Sequence, residues 1–167
     1  MHPDPRQDLP QDSHGQLGLG IDAGGTQTRW ALAAPGGRIV AEGTAGGLSA
    51  LQMGSPEGRE SVQATFGAIA QAVLAHGRPV AVRAGVTGFG GDGGPLQQTL
   101  GELLGLDPQA VVLSNDIEIA YLASFRPGEG YLVYSGTGSI GAFIDAHGGF
   151  HRAGGRGVVL DLSLIHI

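Results

Sequence analysis

Leu17-Gly18-Leu19-Gly20-Ile21-Asp22-Ala23-Gly24-Gly25-Thr26-Gln27-Thr28-Arg29-Trp30 is the stretch on which the reading of the chain turns. A short apolar strand delivers one carboxylate, Asp22, to a turn built on Gly24 and Gly25. Thr26 and Thr28 follow at alternate positions, which on a returning strand puts both hydroxyls on one face. Glycines in such a turn let backbone N–H groups approach an anion closely. A carboxylate beside them suits a hydrated divalent cation, which takes oxygen ligands and keeps several waters. The segment reads as half of a nucleotide-phosphate site.

Composition narrows the chemistry. The 167 residues carry a net charge of -6 and no basic cluster, which argues against nucleic acid or an acidic membrane as partner. All 9 basic residues are Arg, so a phosphate loop of the G-x-x-x-x-G-K-[ST] type is excluded. Phosphate chemistry here must rest on backbone amides, hydroxyls and a metal ion. The absence of Cys excludes disulfides and any Cys-ligated cluster or zinc site within the chain. The 32 Gly include seven adjacent pairs between apolar runs, the pattern of tight hairpins and anion loops. Residues 1–16 are polar and Pro-rich, a disordered leader by composition and not a signal peptide. No apolar run reaches the roughly 18 residues of a membrane span, and the cytoplasm is the expected location.

From Leu17 the pattern predicts strands over Leu17–Asp22, Thr28–Ala34 and Arg38–Glu42, with Pro35-Gly36-Gly37 turning the second into the third. Gly43–Gly54 reads as a loop. Ser55 before Pro56 and Glu57 signals a helix start, and Val62, Phe66, Ile69, Ala70 and Val73 keep helical spacing to His76-Gly77. Strands at Val80–Val86 and Val111–Leu113 and helices at Leu96–Leu104 and Ile117–Phe125 follow, ended by Arg126-Pro127-Gly128. The opening pattern then returns. Gly130–Ser135 is an apolar strand, Gly136-Thr137-Gly138-Ser139 a glycine–hydroxyl turn and Ile140–Asp145 a returning strand, followed by Phe150–Ala153. The repeat implies two lobes built alike, each presenting a phosphate-gripping hairpin to a shared cleft. Asp145, His147 and His151 have a spacing open to zinc, but they lie on a polar hairpin without Cys and read as solvated surface.

Three motifs in this order resemble the BadF/BadG/BcrA/BcrD ATPase family, which includes N-acetylglucosamine kinases, within the superfamily of actin, heat-shock chaperones and sugar kinases. Asp22-Ala23-Gly24-Gly25-Thr26-Gln27-Thr28 is similar to the first phosphate motif, D-G-G-G-T-x-T, with Ala23 at a glycine position. Asn115-Asp116 with Ala120 resembles the N-D-x-x-x-A segment, and Ser135 to Ser139 resembles the second phosphate motif, G-T-G-S. The resemblance implies an α/β fold: a ribonuclease-H-like (actin-like ATPase) lobe over residues 17–127, with a mixed five-stranded sheet and flanking helices. The opening β-hairpin of a second, similar lobe is expected over 128–161. Residues 162–167, Leu-Ser-Leu-Ile-His-Ile, translate a transposon end used in sequencing adapters and are expected to be a non-native tail on a truncated fragment.

The same resemblance implies ATP and Mg²⁺ as cofactors and a sugar or amino sugar as substrate. Gly24, Gly25, Thr26 and Thr28 would grip the phosphates from one lobe, and Gly136, Thr137, Gly138 and Ser139 from the other. Asp22 would hold Mg²⁺ through water, and Asp116 would take the proton of the attacking sugar hydroxyl. Gly47, Ser49 and Asn115 are the implied sugar contacts, although Ala50 replaces the sugar-binding Asn of the kinases and leaves the sugar undefined. An ATP-driven activator or a nucleotide-binding regulator without sugar transfer is the alternative. The activators use cysteines and a different second loop. A homodimer is left open. Asp116 has a plainer reading as the cap of its helix.

Overall fold

The computed structural model describes residues 16–135 and 139–154. Among the described residues eight strands and three α-helices run β1 (Leu17–Ala23), β2 (Gln27–Ala33), β3 (Ile39–Gly46), α1 (Pro56–Leu74), β4 (Pro79–Val86), α2 (Gly94–Leu104), β5 (Val111–Ser114), α3 (Asp116–Ser124), β6 (Leu132–Ser135), β7 (Ser139–Ile144) and β8 (Phe150–Gly154). The first five strands form one sheet in the order β3-β2-β1-β4-β5; β6, β7 and β8 form a second. In the first sheet β1–β2 and β2–β3 are antiparallel, whereas β1–β4 and β4–β5 are parallel. The mixed five-stranded sheet and the opening strands of a second sheet are thus both present.

Alternation along β1 and β2 explains the layers. Leu19, Ile21 and Ala23 on β1 and Trp30 and Leu32 on β2 are buried on one face, under Val62, Phe66, Ile69 and Val73 of α1 and Leu96, Leu100 and Leu104 of α2. Each large side chain so buried contributes about 1.5–3 kcal/mol. Ser55 caps α1 by accepting from the Gly58 amide at 3.0 Å, and Pro56 starts the helix where its missing N–H costs nothing. Gly105 ends α2 in the left-handed conformation at φ 67°.

Two elements differ from the sequence expectation. β3 continues to Gly46 rather than stopping at Glu42, because β2 pairs with it as far as Gln27↔Gly46. A short 3-10 turn, Ala50–Gly54, interrupts the expected loop, fixed by a capping box between Ser49 and Gln52.

α3 joins the two sheets. It packs on β4 and β1 of the first and on β7 of the second. Tyr121 is its pivot: fully buried, its hydroxyl donates to the Glu129 carbonyl, and its ring meets Phe125 at 5.4 Å and Phe143 edge-on at 6.4 Å. Tyr121→Phe keeps the ring contacts and strands that carbonyl. It is expected to cost about 1–2 kcal/mol, read as a lower urea midpoint at unchanged slope.

Candidate functional site

Parallel register levels the carboxyl ends of three strands. Ala23 pairs with Val86, and Gly85 with Ser114, so β1, β4 and β5 end side by side. In open α/β sheets, ligand sites form outside such strand ends. Here the residues just beyond them are Gly24 to Thr26, Thr87, and Asn115-Asp116.

The first turn is closed by the Gly24 amide, which donates to the Gln27 carbonyl at 3.1 Å. That amide is therefore committed to the turn. Gly25 and Thr26 are exposed, lie outside the strands, and no described residue bonds their amides. The loop after β3 braces the turn from behind, with the Leu48 amide donating to the Gly24 carbonyl at 3.0 Å. A Cβ on Gly47 would overlap the carbonyl of Gly25 and the backbone of Thr26. Gly47, expected from the sequence as a sugar contact, is thus a packing glycine that lets two backbones touch. Ser49 is also engaged structurally. Its hydroxyl donates to the Thr87 carbonyl at 3.1 Å and accepts from the Leu51 amide at 3.3 Å.

Thr26 and Thr28 differ in exposure, so the alternation does not bring both hydroxyls to the surface. Thr26 precedes the strand and is exposed; Thr28 lies within β2 on the α1 side, fully buried, with its hydroxyl unpartnered. In this structure Thr28 presents no hydroxyl to the surface. Asp22 points the other way, to the opposite face of the sheet, where it lines a groove of about 450 Å³ with Arg29, Glu42, Arg83 and, from α3, Ile119 and Leu122. Its carboxylate is exposed and no described residue bonds it. An unengaged carboxylate three residues before two free amides has the donor set of a hydrated Mg²⁺ beside a phosphate.

At the head of α3 the capping task falls to Asn115, whose Oδ1 accepts from the Glu118 amide at 2.8 Å. Asp116 is therefore released from the plainer role. Its Oδ2 accepts from the Thr87 hydroxyl at 2.7 Å, and its Oδ1 from the Ile117 amide at 3.0 Å. Half-buried and held on both oxygens, the carboxylate retains lone pairs for a further proton. The Asn115 side-chain amide nitrogen bonds no described residue and remains available as a donor. The sequence reading missed Thr87. Only the register of β4 against β5 brings it to Asp116.

Gly136, Thr137 and Gly138 lie outside the described residues, as do the leader to residue 15, residues 155–167 and the side chain of Ser139. Asp145, the acidic member of the Asp/His hairpin, is engaged within it. It accepts from His151 Nε2 at 2.7 Å and from the amides of Gly149 and His147 at 2.8 and 2.9 Å. The His151 bond first, then the Gly149 amide, holds its carboxyl below the usual carboxylate range. No described helix is long and apolar enough to cross a membrane.

No protein-family model and no curated protein matches the sequence. Solved structures do. A protein designated an N-acetylglucosamine kinase, from Chromobacterium violaceum, is 29% identical with a TM-score of 0.54 over 85% of this chain and 50% of its own. A ROK family glucokinase from Streptomyces griseus, solved with glucose and AMPPNP, is 23% identical with a TM-score of 0.56 over 82% of this chain and 46% of its own. A glucokinase from Balamuthia mandrillaris, solved with glucose, is 19% identical with a TM-score of 0.52 over 83% and 47%. The chain spans about half the length of each. The mixed five-stranded sheet with its flanking helices and these overlays agree: the chain has the actin-like ATPase fold seen in solved sugar kinases.

Proposed function

We propose that the protein transfers the γ-phosphoryl group of ATP to a hydroxyl of a sugar or amino sugar, and that it is a kinase of the N-acetylglucosamine kinase type within the BadF/BadG/BcrA/BcrD group. The observation that carries this reading is Asp116. Its carboxylate stands at a strand-to-helix junction, oriented by Thr87 and level with the glycine turn. The 29% identity to the Chromobacterium violaceum protein supports it.

Phosphoryl transfer is mostly positioning and charge stabilisation. The free amides of Gly25 and Thr26 would meet phosphate oxygens, and the Asn115 side-chain amide would donate to the substrate. As the sugar oxygen bonds to phosphorus, its proton passes to the Asp116 carboxylate while the bond from phosphorus to the ADP oxygen breaks. An ordinary carboxylate suffices, because the hydroxyl acidifies only as that bond forms. Mg²⁺, held through water by Asp22, would neutralise charge on the phosphates. The second glycine–hydroxyl motif, Gly136 to Ser139, would close on the same phosphates and exclude water.

ADP release measured with a panel of hexoses and amino sugars, against a control without sugar, tests the reading. Release is expected to depend on one sugar class. Equal release without sugar would instead support the ATPase alternative.

A further inference from the structure

Thr87 connects all three segments of the candidate site. Its amide donates to the Ala23 carbonyl at 2.9 Å, tying it to the strand end that leads into the glycine turn. Its carbonyl accepts from the Ala50 amide at 2.9 Å and from the Ser49 hydroxyl at 3.1 Å, tying it to the loop that braces that turn. Its hydroxyl donates to Asp116 Oδ2 at 2.7 Å. The backbone of Thr87 is thus locked on both sides, and the one rotatable group it has left is spent on the carboxylate.

From this network we infer that Thr87 is a positioning residue, which fixes the Asp116 carboxylate relative to the phosphate turn; the inference rests on the kinase reading of Asp116. A carboxylate held only by the adjacent Ile117 amide is free to rotate about its side-chain torsions. The Thr87 hydroxyl removes that freedom and leaves the carboxylate a lone pair open for the substrate's proton. Because the backbone bonds of Thr87 do not involve its side chain, exchanging hydroxyl for methyl isolates this one contact. A misplacement of about 1 Å at a reacting group can cost on the order of a hundredfold in rate.

The test compares Thr87→Val with Thr87→Ser. The valine variant is expected to lower kcat for sugar phosphorylation by about tenfold or more, with the KM for ATP and the melting temperature close to those of the unsubstituted protein. The serine variant, which keeps the hydroxyl, is expected to recover most of the rate. A second readout needs no turnover. The NMR isotope shift of the Asp116 carboxyl carbon between H₂O and D₂O should be smaller in Thr87→Val, which keeps the Ile117 amide bond and loses the Thr87 hydroxyl, than in the unsubstituted protein and in Thr87→Ser. Full activity in Thr87→Val, or an isotope shift undiminished in Thr87→Val, overturns the positioning role. An isotope shift that shrinks in Thr87→Val, together with no sugar-dependent ADP release from the unsubstituted protein, overturns the kinase reading, and the catalytic use of the contact with it.

Discussion

Asp116→Asn is expected to lower sugar-dependent ADP formation by about 10² to 10⁴-fold, the usual span of a positioned general base. The substitution preserves shape. An Asn oxygen can still accept from the Thr87 hydroxyl, and Asn115 continues to cap α3, so the helix start survives. What disappears is the capacity to accept the sugar's proton. The signature is a collapse of kcat with ATP affinity, measured by calorimetry, left nearly unchanged. A variant that transfers phosphate at the original rate would remove Asp116 from the reaction and return it to the role of a first-turn acidic residue.

Gly47→Ala has the next largest expected effect, and it acts on stability and nucleotide binding together. The added methyl meets backbone on the Gly25–Thr26 side, and neither neighbour has a flexible end that can swing away. Overpacking of this kind costs about 3 kcal/mol. For a chain of this length that corresponds to a fall in melting temperature on the order of 10 °C. Relief requires the turn to move, which displaces the amides of Gly25 and Thr26, so ATP affinity should fall as well. Gly54→Ala is the control, since a Cβ there meets nothing within 4 Å. Equal melting temperatures for the two variants would refute the packing argument.

Strands and helices with strong apolar periodicity were legible in the sequence. α1 is the clearest case: Ser55, Pro56 and the buried series from Val62 to Val73 all lie where spacing puts them. The far half of β3 was not legible, because Gly43, Thr44, Ala45 and Gly46 carry no strand preference of their own. Their order comes from a partner. The Trp30 ring lies over Gly43, where a Cβ would come within 2.7 Å of it, so the glycine that argues against a strand is what lets the indole pack. The 3-10 turn after Ser49 had a readable signal in Ser49 and Gln52, a capping-box spacing hidden by the small residues around it.

The site divides along the same line. Asp22, Gly25, Thr26, Asn115 and Asp116 could be named from local motifs, because their chemistry is carried by neighbours in sequence. The structural duties of Gly47 and Ser49, the burial of Thr28 and the Thr87–Asp116 bond depend on which strands lie next to which. Residues 87 and 116 meet only because β4 and β5 run parallel. No local pattern encodes that distance.

Trp30 is the chain's one tryptophan, and it sits 6% exposed in the antiparallel half of the first sheet. Its fluorescence is therefore a label-free reporter confined to that half. Emission should start blue-shifted and move red as β2 and β3 separate, while loss of the second sheet alone leaves it unmoved. Optical melting of the unsubstituted chain thus distinguishes fraying of one sheet from collapse of the whole.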